Sequence, residues 1–533
     1  MIHKVYIVKK SIKMRYLIFS KLSTMKRNFV FFFCISFLFQ SCDTSDFKYT
    51  IETDVNPNEI SPLTAMLNIK SEKPCSVSVK VLGDIPVQHS YEDTDTILSI
   101  PVLGLYPNQL NKVEVTLNFE GEQVIDIVKI KTPEIPEFFP SIRVNTLEKD
   151  LMEPGMHAMD IHFANFGKFR SLPIIFDDNG QIRWYLDLSF HGAMVGPFQK
   201  IKNGNILVAG RRTIYEFDML GKLYDKTTID PNYGIHHDVL ELPNGDLLLC
   251  VGTRDAYIEI DGKTILSDSD FIIHFDRKKS KILKKWDLAK HLDVSRDDLN
   301  FFRNGDWLHM NALEFDDRDS TIIVSGRNQG LVKISWDDQL KWIMSPKQNW
   351  GKSGRKGQGY ETKPFLLTPV NQEGKSYDHE IQIGNKSADD FDYPWAPHAP
   401  SLLPNGNIIV FDNGTFRNYN KNNPYSRAVE YELDEANKTF KQIWQYGKKR
   451  GDQLFSSIVS DVDYLANTKN ILMTSGFISP RNIHRAKIVE ISPKTNKEVF
   501  EATVFFKSVN KGEKPGWGQT DILYRSERME LKN

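Results

Sequence analysis

An all-β chain, a six-bladed β-propeller preceded by a small N-terminal β-sandwich, follows from three features of these 533 residues. A strand–turn–strand unit with Asp, Asn, Gly or Lys in its turn recurs six times beyond residue 170. A second hairpin precedes most copies, and from Asn203 in KNGN to Asn244 in PNGD is a step of 41 residues. Aromatic residues reach 11%, with 33 Phe, a composition that suits pleated, half-buried surfaces. Two hairpins make four strands, and four-stranded units of roughly forty residues are the pattern of propeller blades.

The elements follow in order. From Met25 the chain reads MKRNFVFFFCISFLFQSC, a basic start, an apolar run from Phe29 to Phe39, then Gln-Ser-Cys. This is a secretion signal, too short for a comfortable membrane span. It resembles a bacterial lipoprotein leader (residues 1–42) with Cys42 acylated, and Met25 is read as the true start. Residues 47–131 carry short alternating strands such as VSVKVLG and VEVTLNF, a sandwich resembling immunoglobulin or fibronectin modules. TPEIPEFFPS (132–141) holds three prolines and reads as a stiff linker. The region 142–530 is then the propeller. Its outer hairpins fall at 174–187, 214–226, 272–288, 332–344, 429–447 and 489–506.

Composition excludes several classes. Lys+Arg (68) and Asp+Glu (69) nearly cancel, so nothing favours nucleic acid. Past the leader only Cys75 and Cys250 remain, too few for a disulfide framework. There is no G-x-S-x-G elbow and no Walker or dinucleotide fingerprint, so neither serine-hydrolase chemistry nor a nucleotide cofactor is indicated. No cofactor is expected.

Three histidines open hairpins of one kind: His237 in HHDVLELPNGD, His309 in HMNALEFDDRDS and His398 in PHAPSLLPNGN. Each begins an innermost strand, and Arg327 in IIVSGRNQG ends a second strand, so blade geometry brings all four to one rim. Regular strands alternate faces, so His236 and His237 would not both look inward, and the spacing shared with His398 favours His237 over His236. Insertions 289–308 and 345–397 reach the same rim. They carry Trp307, Trp350, Tyr360, Tyr393 and Trp395, expected to roof a pocket for a flat substrate.

Two chemistries suit that set. Converging imidazoles bind metals, but no matched carboxylate accompanies them, Asp238 being expected to point away. Transfer of an anionic group uses it better: arginine holds tetrahedral oxyanions with paired donors, and neutral imidazole is a nucleophile.

The ordered segments HHD…LPNG, H-x-N…SGRNQG, PHA…LPNGN…DNG and the closing GWGQTDILYRSER resemble the bacterial arylsulfotransferase family over residues 47–530. The resemblance implies a six-bladed propeller that moves a sulfuryl group from a phenolic sulfate ester to a phenol by a ping-pong route through a sulfohistidine. It implies that His398 is the transient carrier and that His237, His309 and Arg327 bind the sulfuryl oxygens and assist proton movement. It leaves open which of His237 and His309 is the acid/base. A cysteine pair that some members carry near the site has no counterpart here. The expected location is the bacterial cell envelope, with membrane contact only through the lipid anchor; a homodimer is left open. Two rivals are a surface propeller binding a glycan or peptide, and a metal-dependent propeller lyase or hydrolase.

Overall fold

The computed structural model describes residues 48–164, 170–188, 198–268, 270–296, 305–415, 417–420, 422–479, 484–507 and 520–532. The leader and its Cys42 lie outside them. What is described is all-β: its α-helix is the single turn His379–Gln382.

The chain first forms a five-stranded antiparallel sheet from Tyr49–Val55, Ala65–Val81, Val87–Val102, Leu110–Phe119 and Glu122–Lys131. Strict alternation in VEVTLNF puts Val113, Val115 and Leu117 on one face, all fully buried, against Val77 and Val79 from the neighbouring strand. The proline-rich stretch after it is anchored. Phe139 is fully buried, stacked on Phe163 and edge-on to Tyr185.

Among the described residues six further sheets each have a four-stranded antiparallel core, and Tyr257–Ile260 pairs with Lys263–Leu266 in a separate two-stranded sheet. The leading strands of the six are Ile522–Met529, Gln199–Lys200, Tyr233–Glu241, Met310–Asp316, Pro397–Leu402 and Asp461–Tyr464. The first sheet is closed by the C-terminus, since Ile522–Met529 pairs with Met156–Phe163. The last is extended by Ser141–Leu147 pairing with Lys497–Phe505. From the third sheet on, the leading strand of each touches that of the next.

Local chemistry explains these elements. In the KNGN and PNGD turns Gly204 and Gly245 have φ of 91° and 85°, a region that penalises a Cβ. Middle strands such as Phe271–Asp276 and Thr321–Gly326 are buried at every residue, because both faces are covered. Outer strands such as Lys281–Asp287 alternate, with Trp286 inward and Lys281 and Lys285 outward.

The insertion before Pro397 is tied down by buried charge. Arg427 Nε donates to Asp412 Oδ2 (2.7 Å), Arg417 Nε donates to Asp392 Oδ2 (2.8 Å), and Arg417 also pairs with Asp412. Asp412 Oδ1 accepts from the Trp395 and Gly414 amides, both at 2.9 Å. The segment leading to His398 is thereby fastened to strand Ile408–Asp412. Arg427→Leu leaves two carboxylates short of a buried cation, so a loss of about 3–5 kcal/mol in unfolding free energy is expected. A denaturant titration of both proteins measures it.

Candidate active site

The three predicted strands each lose register at the histidine. Pairing jumps from Ile235↔Val251 to Val239↔Leu249, from Met310↔Gly326 to Ala312↔Ser325, and from His398↔Phe411 to Ser401↔Ile409. His237, His309 and Ala399 stand at φ of 57°, 48° and 46°. A non-glycine residue there costs about 1–3 kcal/mol, and bulges of this kind re-aim side chains.

The bulge corrects one expectation. His236 and His237 do not alternate away from each other: their ring centroids lie 5.3 Å apart, and both feel the charge of His309. Both belong to the cluster, because the strand is irregular at the pair. The two nitrogens of His236 are buried without a hydrogen-bond partner among the described residues.

His237 lies 5.0 Å from His309, ring to ring, and its Nδ1 is 3.0 Å from the Tyr524 hydroxyl. Tyr524 also stands edge-on to His398 at 5.4 Å and stacks on His162 at 5.1 Å. The next residue, Arg525, donates from Nη1 to Asp238 Oδ1 at 3.0 Å. The other carboxylate oxygen, Asp238 Oδ2, accepts from the Leu313 amide at 2.8 Å. His309 Nδ1 is 2.6 Å from Asp306 Oδ2. Arg327 donates from Nη2 to the Ser457 carbonyl at 3.2 Å.

His398 is placed by its neighbour. The Pro397 carbonyl accepts from Asn311 Nδ2 and from Ser325 Oγ, both at 2.9 Å. Its own ring is buried, and Nδ1 has no partner among the described residues.

Electrostatics keep His398, His237 and His236 neutral. Burial is the main cause that pushes His398 well below the ordinary 6.5, and the cations Arg525 and Arg327 add to it, with His309 between them in weight. Burial does the same for His237, assisted by His309, His236 and His398, and lowers His236 to about 4. Arg525 keeps its proton: burial opposes the charge, but Asp238 and Asp461 outweigh it. The result is a set of uncharged nitrogens beside two arginines, suited to an anion with a reactive centre.

The sign of the stability effect follows. Imidazoles held below 6.5 when folded take up protons more readily unfolded. Their contribution is therefore complete above pH 6.5 and declines as pH falls towards about 4 for His236. Melting temperature is expected to drop across that window, and to drop less in His236→Gln, as calorimetry at stepped pH measures.

The predicted aromatics lie elsewhere. Trp307 is fully buried with Nε1 donating to Ser267 Oγ (3.1 Å). Tyr393 and Trp395 are buried between the second insertion and strands of two sheets, bonded to the Gln382 carbonyl and Asp392. Trp350 is buried with Trp307 in one apolar cluster. Tyr360 is 40% exposed and its hydroxyl bonds His291 Nδ1 at 2.9 Å. Trp307, Trp350, Tyr393 and Trp395 pack the insertions onto the sheets, beside strand residues such as Cys250, Val324, Val410 and Val429.

Sequence reasoning missed Tyr524, Arg525, Asp306 and Asn311. Asp306 stands three residues before His309, and Tyr-Arg lies inside the quoted closing motif, so both had a visible signal. Among the described residues no three His, Cys, Asp or Glu side chains are placed to hold a metal ion.

Comparison with known proteins adds an independent line. Residues 144–512 match the family described as arylsulfotransferase, and residues 52–133 match the arylsulfotransferase Ig-like domain. The arylsulfate sulfotransferases AssT of Escherichia coli O6:H1 and of Lelliottia amnigena are each 27% identical over 552 residues. Each alignment covers 86% of this chain and 90% of the relative.

Proposed function

Since this chain belongs to the arylsulfotransferase family, we propose that it works as an aryl-sulfate sulfotransferase by a ping-pong route through a sulfohistidine at His398. The donor is a phenolic sulfate ester and the acceptor a phenol. The observation that carries the mechanism is the His398 ring itself: neutral, buried, with Nδ1 unpartnered among the described residues and two arginines near enough to oppose its protonation.

In the first half-reaction a ring nitrogen of His398 attacks sulfur, an N–S bond forms, the ester S–O bond breaks, and the phenolate leaves with the electron pair. Arg327 and His237 hold the non-bridging oxygens, where positioning and charge stabilisation do most of the catalysis. His309 is the acid/base. A carboxylate only accepts, so Asp306 keeps the proton on Nδ1 and leaves Nε2 to work. As imidazolium it gives a proton to the leaving phenolate; as neutral imidazole it takes one from the acceptor phenol, which then attacks sulfur and regenerates His398.

The six sheets are read as blades of a propeller over 142–530, with 47–131 as the leading module and the touching leading strands as the channel wall. Contact between those strands from the third sheet onward supports this reading. The leader supports export to the cell envelope on a lipidated Cys42.

The test is brief incubation with 4-nitrophenyl sulfate, followed by peptide mass spectrometry for an adduct of about 80 Da on His398. An adduct absent from His398→Ala is the expected result. Phenol released by His398→Ala at the wild-type rate overturns the proposal.

A pH series follows from the lowered His398. The nucleophile stays unprotonated as pH falls past 6.5, so the acid limb of kcat/KM for the donor is expected clearly below 6.5. A limb at or above 6.5 contradicts this.

A further inference from the structure

We propose that Tyr524 is a positioning residue that locks His237 into the tautomer carrying its proton on Nε2, making it a permanent hydrogen-bond donor towards the sulfuryl oxygens. The proposal rests on the sulfotransfer reading of the same site.

Geometry supplies the lock. Tyr524 is 1% exposed, and its hydroxyl hydrogen bond among the described residues goes to His237 Nδ1 at 3.0 Å. A buried hydroxyl that merely accepted from Nδ1 would leave its own proton without an acceptor, at a cost of about 1–3 kcal/mol. It therefore donates, and Nδ1 must present its lone pair. A neutral imidazole has one proton, which then sits on Nε2. Burial pushes the Tyr524 phenol well up, so the hydroxyl remains a donor throughout the working range.

The backbone holds this pair in register. Tyr524 is the extra residue where pairing jumps from Leu523↔Ile161 to Arg525↔Asp160, so a bulge turns it towards the histidines. Arg525 fixes Asp238 while Tyr524 fixes His237, so two adjacent residues of the last strand clamp two adjacent residues of the third sheet's leading strand. The Tyr524 ring, stacked on His162 and edge-on to His398, cannot swing without displacing both.

The consequence is a division of labour fixed by partners. His309 faces a carboxylate, so its Nε2 is free to exchange a proton. His237 faces a hydroxyl donor, so its Nε2 always carries one. Two rings 5.0 Å apart thus do opposite work.

Tyr524→Phe removes the hydroxyl and keeps the ring. Nitrogen-15 NMR of histidine-labelled protein, with the His237 signal assigned by its loss in His237→Gln, is expected to show Nε2–H in the wild type and mixed tautomers in Tyr524→Phe. With 4-nitrophenyl sulfate and a phenol acceptor, kcat is expected to fall roughly ten- to hundredfold in the variant with little change in KM. A purely structural role would instead lower the melting temperature and leave the tautomer untouched. A wild-type His237 protonated on Nδ1, or a kcat within twofold of wild type, overturns the proposal. Should the wild type transfer no sulfuryl group, the sulfotransfer reading falls, while the NMR result still decides the lock.

Discussion

His398→Asn is expected to reduce sulfotransfer from an aryl sulfate to a phenol by about 10⁴-fold or more, and to leave no labelled protein. The size follows from the chemistry. On the proposed route an amide nitrogen is no nucleophile, so the two half-reactions collapse into direct transfer between phenols, which the site has no reason to align. The strand should survive the change, because the backbone beside His398 is held through the Pro397 carbonyl by Asn311 and Ser325. Release of phenol in the absence of acceptor measures the first half-reaction alone. Retention of that burst in the variant would assign the carrier to another residue.

Arg327→Lys is expected to lower kcat/KM for the donor by about 10²–10³-fold, with the second half-reaction slowed as well. Lysine keeps the charge but not the planar fork, and it cannot both hold the Ser457 carbonyl and present paired donors to an oxyanion. On the proposed ping-pong route both half-reactions pass the same group across the same oxygens, so both should suffer. Rapid-quench rates with donor alone, and with labelled enzyme plus acceptor, separate them. An effect confined to one half would place Arg327 on one aryl partner instead of on the transferred group.

Much of the site was legible in the chain because turns sit at fixed distances from strand starts. From His237 to Asn244 is the same seven-residue step as from His398 to Asn405, and a repeat in sequence becomes a repeat in space when each unit folds alike. His309 and Arg327 were readable for the same reason. The pair His236 and His237 was not. Alternation assumes a regular strand, and the left-handed residue at His237 cancels it. The aromatics failed differently: Trp307, Tyr393 and Trp395 are spaced like a pocket roof in sequence but pack their insertions against strands of the sheets.

By itself, then, the chain determined its all-β class, its hairpin repeats and the residue types of an anion-transferring site. Those depend on local pattern: period-two alternation, Asn-Gly turns, and imidazole beside guanidinium. Only the tertiary structure decided what faces each histidine. A ring's tautomer is set by whatever faces its other nitrogen. For His309 that partner is three residues away, and for His237 it is 287 residues away on the last strand. No spacing rule reaches across that distance; closure of the first sheet by the C-terminal strand does.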